Sequence, residues 1–263
     1  YYHKWYRPDL QGIVIVGDID VDAVEAKLKT IFADVQKAVN PAERVYYPVA
    51  DNKEPIVAIG TDKEVDDPSI EVYFKQDATP DSEKNNVGYL ASQYMTSMIT
   101  SMLNARLSEL TQSANPPFTR AYSSYGNFFV AKTKEALNLS ASSKADGIEK
   151  ALKVLLQEAE RARRFGFTES EYARARANYL QRLESAYNER EKTKHGSYVR
   201  EYVRNFLDAE PIPGIETEYA MMNQLAPNLP VQAINMAIQQ LVPDSNQVVI
   251  IAGPEKEGLK YPQ

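Results

Sequence analysis

The 263-residue chain predicts an α+β sandwich, with helices stacked on one face of a mostly antiparallel sheet. Three observations carry that prediction. Short apolar or alternating runs, bounded by turn residues, have the length of strands. The longer stretches between them repeat apolar residues at helical spacing. The order is strands first, then paired helices, then a returning strand, which gathers the helices on a sheet instead of alternating them with parallel strands.

The chain opens on the aromatic run Tyr1-Tyr2-His3-Lys4-Trp5-Tyr6-Arg7-Pro8-Asp9 and passes at once into Gly12-Ile13-Val14-Ile15-Val16-Gly17. A strand apolar on every residue needs neighbours on both faces and both edges, so residues 13–16 read as a buried strand of something longer. Asp20 is placed to cap a helix with Val24, Leu28, Ile31 and Val35 at helical spacing. Pro41, Pro48 and Pro55 then mark an extended linker over residues 38–55, with a module boundary near residue 50.

Residues 55–60 and 69–75 are two strands separated by the acidic turn 62–67. Thr79-Pro80 reads as a cap and first-turn proline. The helix it starts carries Val87, Leu90, Tyr94, Met98, Met102 and Leu103 and ends by Thr111. Alternation around Gly126-Asn127 predicts two antiparallel strands within residues 118–141, joined near residues 132–136. A helix from Asp146 uses Ile148, Leu152, Leu155 and Ala159 and stops at Gly166. Thr168-Glu169-Ser170-Glu171 is a capping box, and the helix after it is expected to reach Tyr202 before Pro211 and Pro213. Helices near 215–225 and 230–241 lead to a last strand over 247–252.

Composition narrows the function. With 43% hydrophobic and 25% charged residues the chain is an ordinary globular one. Its longest apolar runs, 13–16 and 248–252, fall far short of the roughly 20 residues of a membrane helix. A net charge of -6 argues against nucleic acid, which needs unopposed Lys and Arg. The absence of cysteine removes disulfides, thiol catalysis and cysteine-ligated zinc, and leaves reducing and oxidising compartments both open.

The residue types that carry chemistry are sparse. A catalytic zinc takes three protein ligands, yet the two histidines, His3 and His195, each lack a second one three to five residues away. His195 reads as a surface residue of the long helix and His3 as a core histidine of the aromatic cluster. There is no Gly-x-Ser-x-Gly elbow and no glycine-rich phosphate loop. Asp66-Asp67 and Glu169-Glu171 read as a turn and a cap in preference to an acid/base pair. Arg161, Arg163 and Arg164 suit the last turn of a helix, where cations meet the dipole, better than an acidic peptide. The aromatic segment Phe118, Tyr122, Tyr125, Phe128 and Phe129 can stack a ligand or guide a peptide along a strand edge, with half of it facing the core.

Three stretches resemble the insulinase/pitrilysin family of zinc metallopeptidases, in that family's order and at about its spacing. They are Trp5-Tyr6-Arg7-Pro8-Asp9-Leu10 with the strand and Gly17-Asp18-Ile19-Asp20, then Leu103-Asn104-Ala105-Arg106-Leu107-Ser108-Glu109-Leu110, then Arg164-Phe165-Gly166-Phe167-Thr168-Glu169-Ser170-Glu171. The resemblance implies a metallopeptidase-like sandwich, one of several α+β modules whose two halves close like a clamshell around an unfolded peptide. In that family one module holds zinc with an inverted H-x-x-E-H helix and a downstream glutamate. Residues 1–50 would be the closing strand and helix of a preceding module plus linker, and residues 51–263 a complete inactive module.

The helix corresponding to the zinc helix contains Gly88-Tyr89-Leu90-Ala91-Ser92-Gln93-Tyr94-Met95-Thr96, without histidine or carboxylate. It cannot ligate zinc or activate water. The expectation is therefore no catalytic and no metal residue in this segment, with zinc in the parent protein. Some non-catalytic modules of the family hold substrate with an arginine and a tyrosine seven residues apart. Tyr122 takes the tyrosine position after Ala121, whereas Thr111 takes the arginine position and residues 115–118 lengthen the loop. Tyr122 is the leading substrate-binding candidate, with Arg120 and Tyr125 beside it.

These readings describe a catalytically silent module of a bacterial zinc metallopeptidase, packed on the active module and lining the peptide chamber. Its partners would be that catalytic module and unfolded peptide. The alternative is a non-proteolytic scaffold or assembly subunit of the same fold, like the respiratory-complex core subunits that resemble these peptidases. An H-x-x-E-H upstream separates the two. An uncovered apolar strand at 13–16 also invites pairing and predicts a homodimer.

Overall fold

In the computed structural model, residues 1–256 and 261–262 are described, and the side chain of His3 lies outside what is described. Short helix α1 (Tyr2–Trp5) and helix α2 (Val21–Ile31) precede strands β1 (Ile56–Asp62) and β2 (Ser69–Asp77). Helix α3 (Val87–Thr111) leads to β3 (Arg120–Asn127) and β4 (Lys134–Ser142). Helices α4 (Ile148–Phe165), α5 (Glu169–Asn188), α6 (His195–Asp208), α7 (Ile215–Asn228) and α8 (Val231–Leu241) follow, and β5 (Gln247–Pro254) returns to the sheet.

The sheet runs β1-β5-β2-β4-β3, with one parallel pair, β1 with β5, and antiparallel pairs elsewhere. Alternation decides its faces. Ile70, Val72 and Phe74 of β2 stand level with Ala141, Leu139 and Leu137 of β4, and the first two with Ile251 and Val249 of β5. All eight are buried. Helices α3, α4 and α8 pack against the sheet, and α5 and α7 form an outer layer against them. Each fully buried Ile, Leu or Phe side chain contributes about 1.5–3 kcal/mol, so this one apolar face accounts for the stacking.

The joint between α4 and α5 is fixed by chemistry visible in the sequence. Gly166 caps α4 with φ of 68°, and a Cβ there would stand 2.4 Å from Cγ of Asn235. That side chain accepts from Phe167 N at 2.8 Å and donates to Phe167 O at 3.1 Å. The capping box forms as expected: Glu171 N donates to Thr168 Oγ1, and Thr168 N donates to Glu171 Oε2 at 2.8 Å. Glu171 also receives Arg106 through Nε at 2.6 Å and Nη2 at 3.0 Å, while Nη2 reaches Gly166 O at 2.9 Å. One buried arginine thus clamps α3 to the α4–α5 corner.

Three expectations are corrected. Residues 12–16 form no strand, and Ile13 is 57% exposed, because among the described residues no backbone pairs with this segment. Thr79-Pro80 does not start α3: Pro80 precedes a 3-10 turn (Asp81–Glu83), and Asn86 is the cap, its Oδ1 accepting from Tyr89 N at 2.9 Å. The long helix breaks after Asn188 instead of reaching Tyr202. Arg190 folds back, donating to Tyr187 O at 2.8 Å and pairing with Glu216 of α7 at 3.1 Å. His195 therefore begins α6, exposed, and is not part of α5. Elsewhere, Asp20 caps α2 as expected, accepting from Ala23 N at 3.0 Å, and α4 starts at Ile148 after a 3-10 turn.

Candidate functional site

The pleat of β3 divides the three substrate-binding candidates. Arg120 and Tyr122 lie on the face away from the helices, whereas Tyr125, three residues on, points to the helix side. There Tyr125 donates to Glu135 Oε2 at 2.6 Å and accepts from Gln76 Nε2 at 2.5 Å. Burial first, then Glu135, push its phenol above the ordinary range. Tyr125 is a wedge between β2, β4 and the helix layer, and does not join Arg120 and Tyr122.

The helix-free face gathers a different set. Tyr122 stands level with Ser140 of β4 and, one strand further, Glu71 of β2. Ser124 stands level with Asn138 and then Tyr73. Tyr73 donates its hydroxyl to Glu71, and burial together with that carboxylate pushes the phenol up. Nδ2 of Asn138 is buried without a hydrogen-bond partner among the described residues. Tyr122 is 46% exposed and Arg120 is exposed.

The other end of this face is closed by the linker. Lys75 Nζ donates to Ala50 O at 2.8 Å, and Lys134 Nζ reaches Asp51 and Asp77, each at 2.6 Å. Burial, then the neighbouring Lys134, lower the Lys75 pKa. Asn52 and Asn246 bond each other's backbone amides through Oδ1 and O, holding residues 50–52 beside β5. Tyr73 meets Phe128 and Phe129 at ring distances of 5.4 and 5.1 Å, and Phe129 holds φ of 53°, uncommon for a bulky residue. The face is thus polar and open at the Tyr122 end and covered at the Lys75 end.

This arrangement suits binding more than reaction. It offers hydroxyl, amide and carboxylate groups, and among the described residues no imidazole stands beside them. The segment 88–96 on α3 supplies amide, thioether and hydroxyl groups only, a donor set that does not fit zinc. Among the described residues no group of three His, Cys, Asp or Glu could hold a metal ion, and no helix is long and apolar enough to cross a membrane. The arginines at the end of α4 are matched by carboxylates as well as by the dipole. Arg163 pairs with Glu160 at 2.7 Å and Asp244 at 2.9 Å, Arg164 pairs with Glu160, and Arg161 with Glu158 at 3.4 Å. Arg163 chiefly holds Glu160 down to about 2. The sequence reading missed Glu71, Tyr73, Asn138 and Ser140, although the period of two in β2 and β4 assigns them to the face of Tyr122.

Comparison with known proteins adds three findings. The family model for the peptidase M16 inactive domain matches residues 1–179. A zinc protease PQQL-like protein of Arabidopsis thaliana is 27% identical over 92% of this chain and 22% of its own length, and a probable zinc protease PqqL of Escherichia coli is 23% identical over 92% and 25%. The crystal structure of the periplasmic protease PqqL from Escherichia coli superposes with a TM-score of 0.79, 21% identity, and coverage of 95% of this chain and 27% of that one. The chain therefore spans about a quarter of the length of these relatives.

Proposed function

This chain belongs to the peptidase M16 family, matching its inactive domain, and from that premise we propose that it is the silent module of a zinc metallopeptidase. Residues 1–50 complete the sheet of a catalytic module, and residues from about 51 onward form a neighbouring module whose helix-free sheet face lines a chamber for unfolded peptide. Zinc belongs to the catalytic module.

One observation carries this reading. Pro8-Asp9-Leu10-Gln11-Gly12-Ile13-Val14-Ile15-Val16 repeats the pattern of Pro243-Asp244-Ser245-Asn246-Gln247-Val248-Val249-Ile250-Ile251. The second copy enters β5, flanked by β1 and β2, and Val248 is 7% exposed. The first copy has the same apolar run and no ladder among the described residues. A segment with the composition of a central strand gains stability only from neighbours on both edges, which a second module supplies. The exposed Tyr122 and Arg120, above Ser140 and Glu71, support the chamber role, since hydroxyls and mixed charge suit a peptide backbone of varied sequence.

The purified chain, given zinc and an unstructured peptide, is expected to show no turnover, and turnover abolished by a chelator would overturn the reading. Mixed with the H-x-x-E-H module of the same parent, it should co-elute, and Ile13→Lys with Ile15→Lys should abolish co-elution. Co-elution indifferent to that double change counts equally against it.

A further inference from the structure

A recess at the turn of the β3–β4 hairpin holds a carboxylate that the fold leaves half-used. This cavity of about 200 Å³ lies between the 78–84 turn, the hairpin and the end of α6, and its charged lining is Asp81, Lys84, Lys132, Glu135 and Asp208. Both cations are engaged. Lys84, 8% exposed, donates to Asp81 Oδ1 at 2.8 Å and to Asp208 O at 2.7 Å, and Lys132 pairs with the Asp208 carboxylate. Glu135, 9% exposed, accepts from the Tyr125 hydroxyl on Oε2 at 2.6 Å. Among the described residues its Oε1 takes no hydrogen bond, and no cation forms an ion pair with it.

An apolar groove of about 440 Å³ adjoins the recess and shares Tyr46 and Lys132 with it. Val45, Tyr47, Phe129 and Val130 line the groove, and at 82% and 94% exposed Tyr47 and Val130 are not used by the fold. We propose that the two cavities together anchor an unfolded peptide, a lysine or arginine side chain entering the recess against Glu135 while a neighbouring apolar side chain fills the groove. The proposal rests on the reading of this module as a wall of a peptide chamber and gives that wall a preference.

Charge selects the occupant. The recess sets three carboxylates against two cations, and Glu135 is the one left without a cation. A buried carboxylate is stabilised by a paired, hydrogen-bonded cation, which a basic side chain supplies to Oε1. A metal ion is a poorer occupant, since among the described residues no group of three His, Cys, Asp or Glu could hold one. The recess is also smaller than the roughly 300–1,000 Å³ of small-molecule sites, so it takes the head of one side chain. The long apolar stem of lysine or arginine suits the passage between Tyr46 and Lys132.

The test uses fluorescein-labelled, N-acetylated unstructured peptides that differ only in a central pair: phenylalanine–lysine, phenylalanine–glutamine or serine–lysine. Acetylation removes the terminal amine as a competing cation. Titrated with the whole chain and followed by fluorescence anisotropy, the phenylalanine–lysine peptide should bind about tenfold more tightly than the phenylalanine–glutamine one, the range of a hydrogen bond to a charged group. It should also bind more tightly than the serine–lysine one. Glu135→Gln, which can still accept from Tyr125, should remove the lysine preference with an unchanged circular-dichroism signal. Val130→Ser, at an exposed site, should weaken both phenylalanine peptides alike and keep that preference. Peptides that bind without preferring lysine, or a preference that survives Glu135→Gln, overturn the proposal and leave the chamber reading standing. Failure of every peptide to bind overturns both. Loss of co-elution with the H-x-x-E-H module on Val130→Ser would give the groove to that module and overturn the peptide anchor alone.

Discussion

Strand β5 and the segment around residues 8–17 share one pattern and live in opposite surroundings. Each begins with Pro-Asp, and each aspartate answers an arginine: Asp244 reaches Arg163 at 2.9 Å, and Asp9 reaches Arg7 at 3.2 Å. Each continues into four β-branched residues. In β5 these sit between two strands with Ile251 fully buried, whereas Ile13 and Ile15 face solvent. Local sequence therefore encodes the capacity to be a strand, and ladder partners convert that capacity into stability.

The largest test of the contrast is a matched pair of truncations. Ile251→Ala should cost about 2–5 kcal/mol in chemical denaturation by opening a cavity between sheet and helices, while Ile13→Ala should stay within about 0.5 kcal/mol. Equal losses would mean that the two segments are equally packed. Next comes acid. Arg106, the main cause, holds Glu171 down to about 2, so its folded pKa lies below its ordinary 4.5. The stability it adds is full above pH 4.5 and is lost as pH falls toward 2, a contribution of about 2–3 kcal/mol. Glu171→Gln should lower stability at neutral pH and flatten that part of the acid limb in urea titrations at stepped pH. An unchanged limb would break the link to Arg106. The smallest effect concerns caps. Thr168→Ala should cost about 1 kcal/mol in global unfolding, because α5 belongs to the core. Asp20→Ala should cost a similar amount locally, visible as faster amide exchange in α2 and absent from the global transition.

Much of the body was legible because its signals are short-range and mutually consistent. The period of two in β2 and β4, the unbroken apolar run of β5, the capping box at Thr168 and the glycine stop at 166 each rest on neighbours in sequence. The failures at residues 12–16 and at the end of α5 share a cause, which is distance along the chain. Glu189-Arg190-Glu191-Lys192 has good helix propensity, yet Arg190 is drawn to Glu216 while Tyr187 stacks on Tyr219 at 4.4 Å, and the helix ends. The start of α3 differs for another reason, since Thr79 and Asn86 both carry side chains able to cap a helix and the hydrogen bond from Tyr89 N to Asn86 Oδ1 decides between them. At the candidate site, the separation of Tyr122 from Tyr125 was available from strand parity alone. The company Tyr122 keeps was not, because it depends on which strands flank β4 and in what register.

The Gly166 corner carries a consequence for sequence variation. Its backbone occupies a left-handed conformation, and the space a methyl group would need is filled by an amide that is itself holding Phe167 at both ends. No small shift relieves both constraints, so a saturation library at this position should return glycine almost alone, while Gly60 and Gly126, with open space around them, accept many residues. A single-letter position framed by two helices and an arginine clamp acts as a landmark: a diverged copy of this module could be recognised by that corner after its apolar stripes had drifted beyond alignment.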